Sequence, residues 1–162
     1  MNQKTDRAIL MLCMGNICRS PTAEAVMRVY LQRAGLAERV GVDSAGTHAY
    51  HVGEAPDARS CKAALARQYD LSSLRARQLC VEDFQQFDLI LAADRQNMSV
   101  LQSMQPAGSR ARLDFILSPL GDPDRLELPD PYYGGPGGFD QVLDLIEQAC
   151  DGWIVQLQAQ WQ

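Results

Sequence analysis

Along the chain, continuously apolar runs alternate with segments of helical period. Ala8-Ile9-Leu10-Met11-Leu12-Cys13 is such a run, the pattern of a strand covered on both faces of a parallel sheet. Pro21 opens a helical stretch to about Ala34, and Gly35 stands where a helix end turns left-handed. Val40 to Ser44 predicts a second strand, Leu89 to Ala93 a third, and Leu113 to Ile116 a weaker fourth. Helices are predicted from Pro56 or Asp57 to Tyr69, from Val81 to Phe87, and from about Asp94 to Gln102. Phe139, Val142, Leu143, Ile146, Trp153, Ile154 and Leu157 recur near i, i+3, i+4 and i+7, a long amphipathic C-terminal helix. Strands alternating with helices imply right-handed βαβ crossovers and one α/β domain around a parallel sheet. The Pro/Gly-rich tract from Pro119 to Gly138 is long for a turn and reads as a functional loop.

In open sheets of this kind ligands sit outside the carboxyl ends of the strands, which points to the loops after Leu12, Ser44 and Ala93. The first of them, Cys13-Met14-Gly15-Asn16-Ile17-Cys18-Arg19-Ser20, has the form Cys, five residues, Arg, Ser. The spacing alone discriminates poorly, because Cys61 is followed by Arg67 at the same distance. There the intervening residues are Lys-Ala-Ala-Leu-Ala, and Gln68 replaces the hydroxyl residue. Only the first copy follows a buried strand, carries Gly15 and Asn16 as residues suited to left-handed dihedrals, and ends at Ser20-Pro21, a helix start. Strand, tight loop and helix N-terminus aim a nest of backbone N–H groups at an anion, and Arg19 adds a planar fork for phosphate oxygens. Ser20 can donate to the sulfur of Cys13, and a thiolate at the floor of a phosphate cradle is a nucleophile for phosphorus.

A second segment, Leu128-Pro129-Asp130-Pro131-Tyr132-Tyr133-Gly134, clamps an acid between two prolines beside two aromatics. The prolines limit how far Asp130 can wander, and a carboxyl held beside a bound phosphate dianion suits the expulsion of a phenolate, which needs a proton. Tyr132 and Tyr133 are placed to wall a pocket and stack on an aromatic leaving group. Asp122 and Asp124 lack aromatic neighbours and read as solvated turn residues.

Charge and cysteine usage narrow the partners. Of 162 residues, 20 are acidic and 15 basic, leaving a formal charge of −5. That balance argues against non-specific binding to nucleic acid or an anionic membrane, so any positive potential is local to one site. Ala8 to Met14 is the longest apolar run, far short of the ~20 residues of a membrane span. The polar start Met1-Asn2-Gln3-Lys4 predicts no signal peptide. Five cysteines without a C-x-x-C pair argue for reduced thiols in a cytoplasm. Cys61, Cys80 and Cys150 are read as core or surface packing residues, whereas Cys18, in the same loop as Cys13, is a candidate redox partner for it. His48 and His51 have no neighbouring Cys or carboxylate pair to complete a metal site, so they are assigned to the surface or a pocket rim. Arg75 and Arg77 are read as a solvated face. No metal or cofactor is expected.

Cys13-Met14-Gly15-Asn16-Ile17-Cys18-Arg19-Ser20-Pro21, Val42-Asp43-Ser44-Ala45-Gly46-Thr47, Ala76-Arg77-Gln78 and Asp130-Pro131-Tyr132-Tyr133-Gly134 together resemble the low-molecular-weight protein tyrosine phosphatases, in order and spacing, over nearly the whole chain. The resemblance implies a single domain over residues 1–162, a three-layer fold with a central four-stranded parallel sheet and helices on both faces. It implies metal-free hydrolysis of phosphotyrosine in proteins and of small aryl phosphates. Cys13 would attack phosphorus, Arg19 and the amides of Met14 to Ser20 would hold the phosphate, and Asp130 would act as acid and then as base. Asn16, with Ser44 and Ser20, would keep the loop in shape, and Tyr50 with Tyr132 would line the pocket entrance. Ile17 matches the tyrosine-specific members, whereas related arginine phosphatases carry Thr there. The implied partners are tyrosine-phosphorylated proteins, a bacterial tyrosine kinase among the candidates. One departure is Leu74, where many members have a histidine that joins the loop-supporting network, so the support here must be smaller or differently built.

Two rivals remain. Arsenate reduction uses a similar loop but relays oxidation through two further cysteines, and Cys80 has no partner within the next dozen residues. A phosphotyrosine-binding module would be expected to lose the nucleophile or the acid, and this chain keeps both.

Overall fold

In a computed structural model of the chain, which describes residues 6–135 and 137–161, four parallel strands are laid in the order β2-β1-β3-β4. They are β1 (Arg7–Cys13), β2 (Val40–Gly46), β3 (Leu89–Ala92) and β4 (Arg112–Phe115). The helices are α1 (Arg19–Arg33), α2 (Ala58–Leu65), α3 (Asp83–Gln86), α4 (Arg95–Met104) and α5 (Gly138–Gln160). The start Met1 to Lys4 lies outside the described residues.

Alternation along the strands sorts the core into two layers. Ile9, Met11, Val42, Leu89 and Leu91 face α1 and α5 and pack against Val26, Met27, Val142, Ile146 and Trp153. Leu10, Leu12, Ile90 and Ala92 face the other way, onto Phe84 of α3 and Met98 and Leu101 of α4. Both faces of the central strands are thus covered, which is why they read as unbroken apolar runs. This is the expected three-layer α/β architecture, with the active loops gathered at the carboxyl edge of the sheet. No helix among the described residues is long and apolar enough to cross a membrane.

Helix boundaries follow the local chemistry. Gly35 has φ 74°, and Leu36 N–H reaches Leu31 O at 2.8 Å while Gly35 N–H reaches Gln32 O at 3.1 Å, so α1 closes as expected. The helix predicted to run to Tyr69 stops at Leu65 instead. Gln68 takes the left-handed conformation (φ 70°), its N–H bonds Leu65 O, and Tyr69 N–H bonds Ala64 O at 3.0 Å, which turns Tyr69 into the core. A glutamine there gives no sequence warning of a helix end. The helix predicted from Val81 to Phe87 is one turn, Asp83–Gln86. The Pro/Gly-rich tract folds into three short 3-10 turns, at Ser118–Leu120, Pro123–Arg125 and Pro131–Tyr133.

Candidate active site

The loop after β1 runs from Cys13 into α1, which begins at Arg19, two residues earlier than predicted. Cys13 is buried, and two polar groups converge on its sulfur: Asn16 N–H, which donates to it at 3.3 Å, and the Ser20 hydroxyl at 2.9 Å. Asn16 holds the left-handed conformation (φ 57°) that the turn needs. Gly15 does not share it, contrary to expectation. Its bare Cα instead leaves room for a ring, since a Cβ there would lie 3.1 Å from Cδ2 of His51. The glycine that the loop cannot do without is Gly46, where a Cβ would fall 2.6 Å from Met14 O and 3.1 Å from Asn16 N. No acceptor among the described residues takes the N–H of Gly15, Ile17 or Cys18, so these amides are free for an anion.

Hydrogen-bond direction through the buried support can be traced donor by donor. Arg77 N–H donates to Asn16 Oδ1 at 3.0 Å, which fixes the amide so that Nδ2 donates to Ser20 Oγ at 2.7 Å and Ser44 Oγ at 3.0 Å. Ser44 in turn donates to Glu24 Oε1 at 2.7 Å. Ser20, already accepting from Asn16, has its own proton left for Cys13 Sγ or, at 3.3 Å, for Ala45 O. Glu24 is 2% exposed and sits one turn along α1 from Ser20. Burial pushes its carboxyl upward, opposed by the Ser44 hydroxyl and by Arg28, which bonds it from the next turn. Leu74 packs against the core, and this network closes without it.

Arg19, 4% exposed, is aimed by three groups. Its Nη1 donates to Asp94 Oδ2 at 2.8 Å and to Leu128 O at 3.0 Å, and Nη2 stands 3.7 Å from Asp130 Oδ2. Asp94 caps α4 with its other oxygen, accepting from Asn97 N–H at 2.8 Å. Asp130, 30% exposed, also accepts Tyr132 N–H at 3.0 Å. Cys13, Met14, Gly15, Ile17, Cys18, Arg19, His51, Asp130, Tyr132 and Tyr133 line one pocket. Burial, above all, pushes the Cys18 thiol up to about 12, with a hydrogen bond to Ser60 pulling the other way.

Two sequence readings need correction. Tyr50 stands outside the pocket, 79% exposed and stacked on His48 at 5.3 Å, and His51 takes the rim position, held by Glu54 Oε2 at 2.7 Å. Arg77 is no solvated residue, because Asp43 at 3.1 Å and the 3% exposed Asp83 at 3.0 Å clamp its guanidinium. Of the three cysteines outside the loop, Cys150 is buried, Cys61 half-buried and Cys80 exposed, core and surface positions as read. Sequence reasoning passed over Asp94 and Glu24. Asp94 had a signal, since it follows the third strand as an N-cap in a loop already singled out. Glu24 had one too, as an acid spaced i+4 from Ser20 and i−4 from Arg28. Among the described residues no three His, Cys, Asp or Glu side chains gather as a metal site requires.

With this geometry in place, comparison with known proteins is decisive. Residues 8–162 match the family described as Low molecular weight phosphotyrosine protein phosphatase. Low molecular weight phosphotyrosine protein phosphatase 2 of Drosophila melanogaster is 42% identical over 151 residues, covering 92% of this chain and 91% of the relative. The crystal structure of a protein tyrosine phosphatase from Entamoeba histolytica, with Hepes in the active site, superposes with a TM-score of 0.89 at 38% identity, covering 94% of this chain and 97% of that one. A Drosophila arginine phosphatase superposes at 0.88 with 28% identity, over 94% and 98% of the two chains. The chain therefore belongs to the low molecular weight phosphotyrosine protein phosphatase family of hydrolases.

Proposed function

We propose that residues 1–162 act as one catalytic domain that hydrolyses phosphotyrosine in proteins through a phosphocysteine intermediate. The observation that carries this reading is the convergence in one pocket of the Cys13 sulfur, free loop amides, the fixed Arg19 guanidinium and Asp130. The Cys13 sulfur attacks phosphorus while the bond to the tyrosine oxygen breaks, and Asp130 gives its proton to that oxygen. Arg19 and the amides of the Met14 to Ser20 loop hold the three equatorial oxygens, whose charge they are arranged to meet. Water then attacks the phosphocysteine, Asp130 takes its proton, and phosphate leaves with Cys13 restored. Asn16 N–H and the Ser20 hydroxyl lie within hydrogen-bond reach of the sulfur and hold it in place for the attack.

The substrates on this reading are tyrosine-phosphorylated proteins in the cytoplasm, a bacterial tyrosine kinase among the candidates. Five free cysteines fit a reducing compartment. Tyr132 and Tyr133, in edge-to-face contact at 4.9 Å, form an aromatic wall suited to a phenyl ring. The test is hydrolysis of p-nitrophenyl phosphate with chelator present, together with paired phosphotyrosyl and phosphoarginyl peptides. Chelator-resistant turnover that favours the phosphotyrosyl peptide and vanishes in Cys13→Ser is expected. Turnover that survives in Cys13→Ser, or a preference for phosphoarginine despite Ile17, would overturn the reading.

A further inference from the structure

Asp130 is held less firmly than Cys13: beyond its ion pair with Arg19 inside the pocket, the turn that carries it is hydrogen-bonded by one side chain from outside the pocket. Among the described residues, two hydrogen bonds leave the segment from 129 to 135: a local one at its end, from Gly138 N–H to Gly135 O at 3.0 Å, and one from a distant element, from Arg59 Nη1 to Tyr132 O at 3.4 Å. The one ion pair leaving it is Arg19 with Asp130. Arg59 stands in the first turn of α2 and does not line the pocket. Its guanidinium lies 5.2 Å from the Tyr132 ring centre and 4.9 Å from that of Phe139, the second residue of α5. It therefore touches both the turn that carries Asp130 and the helix start at which the loop ends.

The other end of Arg59 is anchored. Nε donates to Asp57 Oδ1 at 3.1 Å and Nη2 to Asp57 Oδ2 at 3.0 Å, a bidentate pair. Asp57 is the cap of α2, and its own N–H donates to Ile17 O at 2.8 Å, inside the phosphate loop. A continuous path thus runs from Ile17 through Asp57 and Arg59 to Tyr132, whose N–H holds the Asp130 carboxylate at 3.0 Å.

We propose that Arg59 is a positioning residue for the acid, a strut that sets the Asp130 turn at a defined distance from the nucleophile loop. The inference rests on Asp130 being the proton donor. Only a planar fork can bond both Asp57 oxygens, reach a carbonyl with its remaining nitrogen and offer flat faces to two rings, so lysine is no substitute. A strut of this kind changes how well a proton is delivered without changing how phosphate is held.

Leaving-group dependence of kcat/KM separates those two effects, because a good leaving group departs without a proton. The substrates are phenyl phosphate and 2,4-dinitrophenyl phosphate, and the proteins are wild type, Arg59→Leu, Arg59→Lys and Asp130→Asn. Loss of the acid in Asp130→Asn costs about 10²-fold or more on phenyl phosphate and little on the dinitrophenyl ester. Arg59→Leu is expected to reproduce that selectivity at about 10-fold on phenyl phosphate, as a misplaced but present acid would. Arg59→Lys is expected to match Leu, and inhibition by inorganic phosphate to stay at its wild-type value in both. Arg59 is half exposed, so the variants should fold, and thermal melting checks that they do. An equal loss on both esters, no loss, or full recovery by lysine overturns the strut while a selective Asp130→Asn leaves the acid in place. A flat response in Asp130→Asn itself overturns the acid assignment beneath it.

Discussion

The nucleophile loop and the acid turn face each other across one pocket but are built on opposite plans. In the loop from Cys13 to Ser20, Cys13, Asn16, Cys18, Arg19 and Ser20 are all buried, and the side chains of Cys13, Asn16, Arg19 and Ser20 each have a hydrogen-bonding partner. The acid turn sits on a 3-10 helix with Tyr133 79% exposed and is tied down from outside by two arginines. The difference matches the work proposed for each. A group that attacks phosphorus must be fixed before substrate arrives, whereas a wall that admits a protein-borne phosphotyrosine has to stand at the solvent boundary.

Substitutions can break this comparison at either end. The largest effect falls on the buried side, where Cys13→Ser is expected to remove kcat by about 10⁴-fold or more while leaving phosphate binding measurable. Gly46→Ala comes next. Its Cβ would meet Met14 O at 2.6 Å, a contact only backbone movement relieves, and the loop moves with it. A shift approaching 1 Å at the nucleophile costs on the order of 10²-fold, so kcat/KM for p-nitrophenyl phosphate should fall by about that much. Asn16→Ala strands Arg77 N–H and two serine hydroxyls at once, and a thermal or urea melt should register about 1–3 kcal/mol lost. The equivalent change on the acid side, Tyr133→Ala, removes an exposed ring and should leave stability within about 0.5 kcal/mol of wild type.

How much of this was legible in the sequence divides along the same line. Apolar runs exposed β1 and β3 because both faces are buried, and Gly35 marked the end of α1 because a left-handed cap favours glycine. The motifs that bring Cys13, Arg19 and Asp130 to one pocket were readable because each is local in sequence, and the family resemblance reinforced them. What could not be read is the support that arrives from far along the chain. Asp94 lies 75 positions from Arg19 and Arg77 lies 61 from Asn16. Their periodicity is that of an ordinary cap and an ordinary exposed arginine, so only the fold reveals their partners. Tyr50 fails for a different reason: an aromatic beside a pocket can turn outward and stack on His48, and nothing in its spacing selects between the two.

The two supporting carboxylates sharpen the contrast through pH, with opposite signs. Burial raises Glu24, behind the nucleophile loop, while hydrogen bonding to Arg59 lowers Asp57, behind the acid turn. A carboxyl raised in the folded state contributes stability that is complete below its unfolded pKa, ~4.3 for Glu, and is lost as pH climbs through the folded value. Melting temperatures of wild type should therefore drop relative to Glu24→Gln as pH rises from 4 toward neutrality. A carboxyl lowered in the folded state does the reverse: its contribution is present above its unfolded pKa, ~3.9 for Asp, and fades as pH falls through the lower folded value. Wild type should accordingly lead Asp57→Asn by a margin that is flat from pH 5 to 8 and narrows below pH 4. The Asp57 effect is the smaller of the two, because Arg59 is half exposed and solvent screens the pair. Melts of the three proteins across pH 3 to 8 decide both. Margins that moved in the same direction would mean that the two sides of the pocket are supported alike, and that the division between a buried, preset nucleophile and a strutted surface acid is wrong.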